Sequence, residues 1–95
     1  MQQRIVVKGD LDIAAAPDLL RRLDEAIDGD PGGLVIIDFD AVSFIDSTGL
    51  GVLIGARARA LAANGSVVLD GVSSSLHRLL VVTGIDGLFV EPTPA

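Results

Sequence analysis

The sequence predicts an α/β domain: a mostly parallel sheet of about four strands with helices packed on it. Three observations point there. Short β-branched runs alternate with segments whose apolar residues recur at helical spacing, in the order β-α-β-α-β-α-β. One of those runs, Leu34 to Phe39, is nearly all apolar, the pattern of a strand covered on both faces. Apolar residues, mostly Val, Leu, Ile and Ala, make up 49% of the chain, which supports a core without disulfide or metal staples.

Each element has its own signal. Arg4-Ile5-Val6-Val7-Lys8 reads as a strand stopped by Gly9. Leu19, Leu20, Leu23, Ala26 and Ile27 then mark a helix, with Pro17 near its first turn and Asp28-Gly29-Asp30-Pro31-Gly32-Gly33 as its stop. The second strand is Leu34 to Phe39. A second helix runs from about Ser47 to Asn64-Gly65, a left-handed type of ending. Ser66 to Leu69 forms the third strand. Ser73-Ser74-Ser75 cap a third helix from Leu76 to about Val82, ended by Thr83-Gly84. Leu88-Phe89-Val90 closes as a last short strand before Pro92 and Pro94. No internal repeat, linker or low-complexity block interrupts this order, so residues 1–95 read as a single domain.

Composition narrows the chemistry. The chain has no cysteine, which excludes disulfides and thiolate metal sites and fits a reducing cytoplasm. The one histidine, His77, makes no metal site by itself and reads as a surface residue. Seven basic residues against 13 acidic give a net charge of -6, the wrong sign for nucleic acid or an anionic membrane. The first residues, MQQRIVVKGD, do not resemble a signal peptide, and no apolar stretch reaches the ~18 residues of a membrane span. No nucleophile stands with a base, so nothing suggests an enzyme. The acids Asp24, Glu25, Asp28 and Asp30 read as a solvated face and loop.

The segment Phe44 to Gly55, FIDSTGLGVLIG, offers two chemistries. Gly49, Gly51 and Gly55, with Asp70 further on at a strand end, echo a dinucleotide fingerprint and would make this a small nucleotide-binding protein. That fingerprint wants its glycines in the tight turn after a strand, whereas a strand ending near Phe39 leaves Asp40 to Gly49 between. The other chemistry is a hydroxyl pair, Ser47 and Thr48, beside Asp46 at a helix start, where a phosphorylation switch can sit. In the plainer account Ser47 or Thr48 is simply the N-cap, and Ser47→Ala costs about 1 kcal/mol.

Helix periodicity adds to this. At 100° per residue, Leu50, Leu53, Ile54 and Leu61 gather on one side as the core stripe, with Arg57 falling there too. Thr48, Val52, Gly55 and Arg59 fall opposite, with Gly51 beside them. A solvated face normally carries Glu, Lys and Gln, and each interior glycine costs roughly 0.5–1 kcal/mol against alanine. Two readings account for the glycines: close approach by a partner surface, or tight seating of the helix on the sheet.

These residues carry a resemblance that spans nearly the whole chain. Gly9-Asp10-Leu11-Asp12, Ala15-Ala16-Pro17, Ile37-Asp38-Phe39, the run from Val42 to Leu53, and Leu79-Leu80 through Thr83-Gly84-Ile85 resemble the STAS domain, and within it the anti-sigma-factor antagonists of bacterial partner switching. The resemblance implies an antagonist that, when unphosphorylated, captures an anti-sigma factor that is also a serine kinase with a histidine-kinase-like ATPase fold. The kinase phosphorylates the antagonist to release it, and a serine phosphatase resets it. No cofactor is implied for the antagonist; ATP belongs to the kinase.

Carried onto this chain, the phosphoacceptor is Ser47, with Asp46 beside it and Asp12 near it at the same end of the sheet. Thr48 is the competing acceptor, otherwise a contact or cap. The partner-binding set is then Asp12, Asp46, Ser47, Thr48, Gly49, Gly51, Val52, Gly55 and Arg59. The other STAS roles are regulatory or scaffold domains of anion transporters, lipid-transport complexes and stress-signalling assemblies. Two departures stand out. Relatives usually carry a strand before the first one seen here, where only Met1 to Gln3 precede Arg4, so either the chain is trimmed or the sheet has an open edge able to pair weakly with a second copy. Ala14 to Ala16 also offer no good N-cap for the first helix.

Overall fold

Three parallel strands lie side by side in the order β1 (Gln2–Leu11), β2 (Leu34–Ile45), β3 (Ser66–Asp70). α1 (Ala16–Gly29) and α2 (Ser47–Ala62) connect them, and α3 (Ser74–Val82) follows β3. The computed structural model describes residues 2–82, so the strand expected at Leu88-Phe89-Val90 lies outside the described residues.

β1 and β2 are both longer than periodicity suggested. Gly9 does not stop β1: it takes a left-handed φ of +74° between two register shifts, Val6/Lys8 and Gly9/Asp10, and the strand resumes to Leu11. β2 likewise continues past Phe39 to Ile45, opposite Lys8 to Leu11. The bulges explain why the continuation is hard to read, since an extra residue resets the side-chain alternation. Beyond Ile37 the buried positions of β2 are Phe39, Val42 and Ile45, spaced by three rather than two.

One sheet face meets the helices. Ile5, Val7 and Leu11 of β1, Val35, Ile37 and Phe39 of β2, and Val67 and Leu69 of β3 form the core with Leu19, Leu23 and Ile27 of α1, Leu53 of α2, and Leu76 and Leu80 of α3. Ile36 and Val68, one step along their strands and so facing the other way, are buried as well. Near them Arg4 bridges all three strands, with guanidinium nitrogens 3.0 Å from Asp38 Oδ2 and 2.9 Å from Asp70 Oδ2.

Among the described residues β1 is an edge, and two devices blunt it. Its bulges break the flat register, and Arg22 of α1 donates to the Val6 carbonyl at 2.9 Å. A second copy pairing there would have to match those bulges and displace that bond.

α2 is rotated relative to the face expected from its leucines. Gly49, Leu53, Ala56 and Ala60 are the buried stripe, while Ile54 and Leu61, expected in the core, stand 39% and 46% exposed. The reason is separation. Small residues let α2 pack close to the sheet, so alanine and glycine occupy the inner stripe and the larger side chains turn out. Val52 packs partly buried against the core, and Arg59 reaches α1 to pair with Asp24 Oδ1 at 2.7 Å. Asp24, expected to be merely solvated, is therefore an interhelical partner. The helix ends as expected, with Asn64 left-handed at φ 65° and the Gly65 N–H donating to the Ala60 carbonyl at 2.8 Å.

Candidate functional site

The site forms where β1 and β2 end side by side, with Leu11 paired to Ile45. The chain leaves both strands at an aspartate, Asp12 after β1 and Asp46 after β2. The two ends are tied together, because the Asp46 N–H donates to the Leu11 carbonyl at 3.2 Å.

Each aspartate starts a helix. Asp46 is extended (φ -107°, ψ -177°) and is the N-cap of α2, its Oδ1 accepting the Gly49 N–H at 2.9 Å. This corrects the expectation that Ser47 or Thr48 is the cap. Both are already helical, both are exposed, and the orphan N–H they would have served is taken. Asp12 works one turn ahead of α1. Its Oδ1 accepts from the Ala14 and Ala15 N–H groups at 3.1 Å each, and its carbonyl accepts from Ala15 and Ala16. Ala15, in the cap position, makes no side-chain bond, so the poor cap expected there is real but compensated from Asp12.

Gly49 explains how closely α2 approaches. A Cβ at Gly49 would stand 2.6 Å from the Leu11 carbonyl oxygen, 2.9 Å from Leu11 Cγ and 3.0 Å from Ile45 Cγ1. Only a residue without a side chain lets the first turn sit on the β1 end, which fixes where Ser47 emerges. Gly49 is buried, so its part in the site is to position Ser47.

The other expected site residues divide. Ser47, Thr48 and Gly51 are exposed on the open side of α2, and a Cβ at Gly51 would touch nothing within 4 Å. Asp12 and Asp46 are half-buried beside them. Val52, Gly55 and Arg59 follow the stripe that begins at Thr48; Val52 and Gly55 are half-buried there, and Arg59 is engaged by Asp24 of α1. Exposed apolar residues near the serine went unsingled in the sequence: Ile13, directly after Asp12, is 72% exposed and Phe44, two residues before Asp46, is 52% exposed. A large apolar residue next to a motif, Ile13 after Asp12 and Phe44 before Asp46, was the available signal.

The dinucleotide reading takes one correction. β2 reaches Ile45, so Gly49 follows the strand by four residues rather than ten. The glycines still do not form the turn. The whole turn is Asp46, and Gly49, Gly51 and Gly55 lie inside α2. A carboxylate already occupies the helix N-terminus where a pyrophosphate would bind.

Electrostatics on the central strand complete the picture. The Asp38 carboxyl is held below the usual carboxylate range, mainly by the Asp40 backbone N–H at 3.0 Å and then by Arg4. No helix among the described residues is long and apolar enough to cross a membrane, and no group of potential metal ligands gathers among them.

The site is thus a parallel sheet whose strand ends seat an aspartate-capped helix, with a serine exposed on its first turn. The chain belongs to the STAS domain family, whose pattern it matches over residues 4–95. Over 84 residues it is 37% identical to the anti-sigma-B factor antagonist of Listeria monocytogenes, covering 88% of this chain and 73% of that one. Over 82 residues it is 33% identical to the Bacillus subtilis protein of the same name, covering 86% and 73%. Its fold is similar to that of the anti-sigma factor antagonist SpoIIAA in its unphosphorylated form, with a TM-score of 0.79 at 24% identity over 97% of this chain and 81% of that one. The phosphorylated form of SpoIIAA gives 0.71 at 25% identity, covering 95% and 81%.

Proposed function

We propose that this domain is an anti-sigma-factor antagonist whose grip on its partner is switched by phosphorylation of Ser47. The observation that carries the proposal is the division of labour at the start of α2. Asp46 does the capping, Gly49 does the seating, and Ser47 is left exposed on the first helical turn. A side chain that the fold does not need is available to a kinase. The partner is an anti-sigma factor that is also a serine kinase with a histidine-kinase-like ATPase fold, a serine phosphatase reverses the reaction, and ATP is bound by the kinase alone.

The energetics suffice. Phosphate adds about -1.5 to -2 charges beside Asp46. Asp46 Oδ1 already holds the Gly49 N–H, so the phosphate turns towards the partner. One like-charge pair at ~4 Å costs about 4 kcal/mol at an effective dielectric near 20. A hundredfold loss of affinity needs only about 2.7 kcal/mol. The helix N-terminus itself favours an anion, so the domain stays folded while the complex separates.

The test is a capture from lysate with wild-type and Ser47→Asp domains as parallel baits. An ATPase-kinase retained by wild type and lost by the variant is the expected result. Radiolabelled ATP should then modify wild type and not Ser47→Ala; label kept by Ser47→Ala and lost by Thr48→Ala would move the acceptor to Thr48. The same proteins on both baits would overturn the switch and leave a scaffold.

A further inference from the structure

Open backbone N–H groups at a helix start are the natural seat of a phosphate. At the end of the sheet that bears Ser47, carboxylates of the chain have taken such groups first. Asp46 Oδ1 accepts from the Gly49 N–H at 2.9 Å, at the start of α2. Asp12 Oδ1 accepts from the Ala14 and Ala15 N–H groups at 3.1 Å each, ahead of α1. The Asp46 N–H is engaged as well, donating to the Leu11 carbonyl at 3.2 Å.

Charge at this end has one sign. The stretches 10–15 and 44–51 hold Asp10, Asp12 and Asp46 and no Lys, Arg or His. Arg4, Arg21 and Arg59 are paired elsewhere, with Asp38 and Asp70, with Asp18 and Glu25, and with Asp24. A phosphate on Ser47 therefore finds no counter-charge in these stretches, and it competes with Asp46 for the Gly49 N–H. The choice of cap matters to that contest. A carboxylate makes a charge-assisted bond roughly twice as strong as the bond a serine or threonine cap would make.

We propose that Asp46 is the positioning residue of the switch: by holding the Gly49 N–H it keeps a phosphate on Ser47 off the helix, and the charge is left for the partner. The proposal rests on phosphorylation of Ser47 and deepens it. Asp46 has two effects here, its cap and its charge, and they are separable. Asn caps a helix as well as Asp does, so Asp46→Asn keeps the cap and loses the charge. Asp46→Ala loses both, and the phosphate then becomes the cap.

The test needs no kinase. Phosphoserine is installed chemically at position 47 of the wild-type, Asp46→Asn and Asp46→Ala domains. Phosphorus NMR reads the second pKa of the phosphate, about 6 when unperturbed, and amide spectra follow the Gly49 N–H through the same titration. The pKa should fall in the order wild type, Asp46→Asn, Asp46→Ala. Asp46→Ala should lie about 1 pH unit below Asp46→Asn, because only there does the phosphate gain the hydrogen bond. The Gly49 amide should follow the phosphate in Asp46→Ala alone. Thermal melts verify folding, and Asp46→Gly, tolerated at a cap, replaces Asp46→Ala if that variant does not fold. Equal pKa values in Asp46→Asn and Asp46→Ala would reduce Asp46 to a charge and overturn the proposal. A Gly49 amide that follows the phosphate in wild type would overturn it too. Neither result bears on the antagonist reading, which the capture from lysate decides by itself.

Discussion

Two glycines of α2, two residues apart, are expected to answer alanine with opposite signs. In an open helix position Gly→Ala gains roughly 0.5–1 kcal/mol by restricting the unfolded chain and favouring helix. Gly51 is such a position, since a Cβ there meets nothing within 4 Å. At Gly49 the same Cβ would stand 2.6 Å from the Leu11 carbonyl oxygen and 2.9 Å from Leu11 Cγ. Ordinary carbon contacts lie at about 3.5–4.0 Å, so the first turn must back away from β1 by about 1 Å. That strains the bond from the Asp46 N–H to the Leu11 carbonyl, and overpacking of this kind costs about 1–3 kcal/mol. The cost exceeds the propensity gain over most of that range, leaving Gly49→Ala destabilised by up to about 2.5 kcal/mol and Gly51→Ala stabilised. In a domain of this size each kcal/mol moves Tm by about 4–8 °C, so thermal melts separate the two variants clearly. A Gly49→Ala domain as stable as Gly51→Ala would refute the close-approach reasoning, and with it the positioning of Ser47 by Gly49.

Three further outcomes are expected. Asp46→Ala should lose about 1 kcal/mol in urea unfolding through the missing cap, while Ser47→Ala stays within about 0.5 kcal/mol of wild type. Equal losses would return the cap to Ser47. Leu53→Ala should cost about 2–5 kcal/mol and its neighbour Ile54→Ala under about 1 kcal/mol, since Leu53 is fully buried and Ile54 is not; the reverse order would refute the observed rotation of α2. The folded pKa of Asp38 is lowered, so its carboxylate adds stability above the ordinary value of 3.8 and loses it as pH falls through the lower folded value. Asp38→Asn should therefore be less stable at neutral pH and show a shallower loss of Tm below pH 4. An acid limb as steep as wild type would remove Asp38 from the account.

Local chemistry made much of this legible. The stop at Asp28-Gly29-Asp30-Pro31-Gly32-Gly33, Ser73 before α3 and Asn64 at the end of α2 act on their own or neighbouring backbone, so composition alone located them. The strand continuations to Leu11 and Ile45 were not legible, because bulges replace the step of two with a step of three. Capping roles were legible in kind but not in assignment. Asp46, Ser47 and Thr48 are all competent caps by chemistry, and only the place where β2 ends selects Asp46.

The sequence by itself determined the alternation of strands and helices, the identity of the family, and the serine beside an aspartate at a helix start. Those follow from periodicity and from residues acting on near neighbours. Tertiary structure alone decided which way α2 faces. Hydrophobicity assigns Ile54 and Leu61 to the core, but the distance between α2 and the sheet is set by Gly49 against Leu11 and by the small Ala56 and Ala60 beneath the helix. Close packing rewards the fit of shapes across that gap more than the hydrophobicity of any one residue, so the larger apolar side chains are turned outward, in line with the serine.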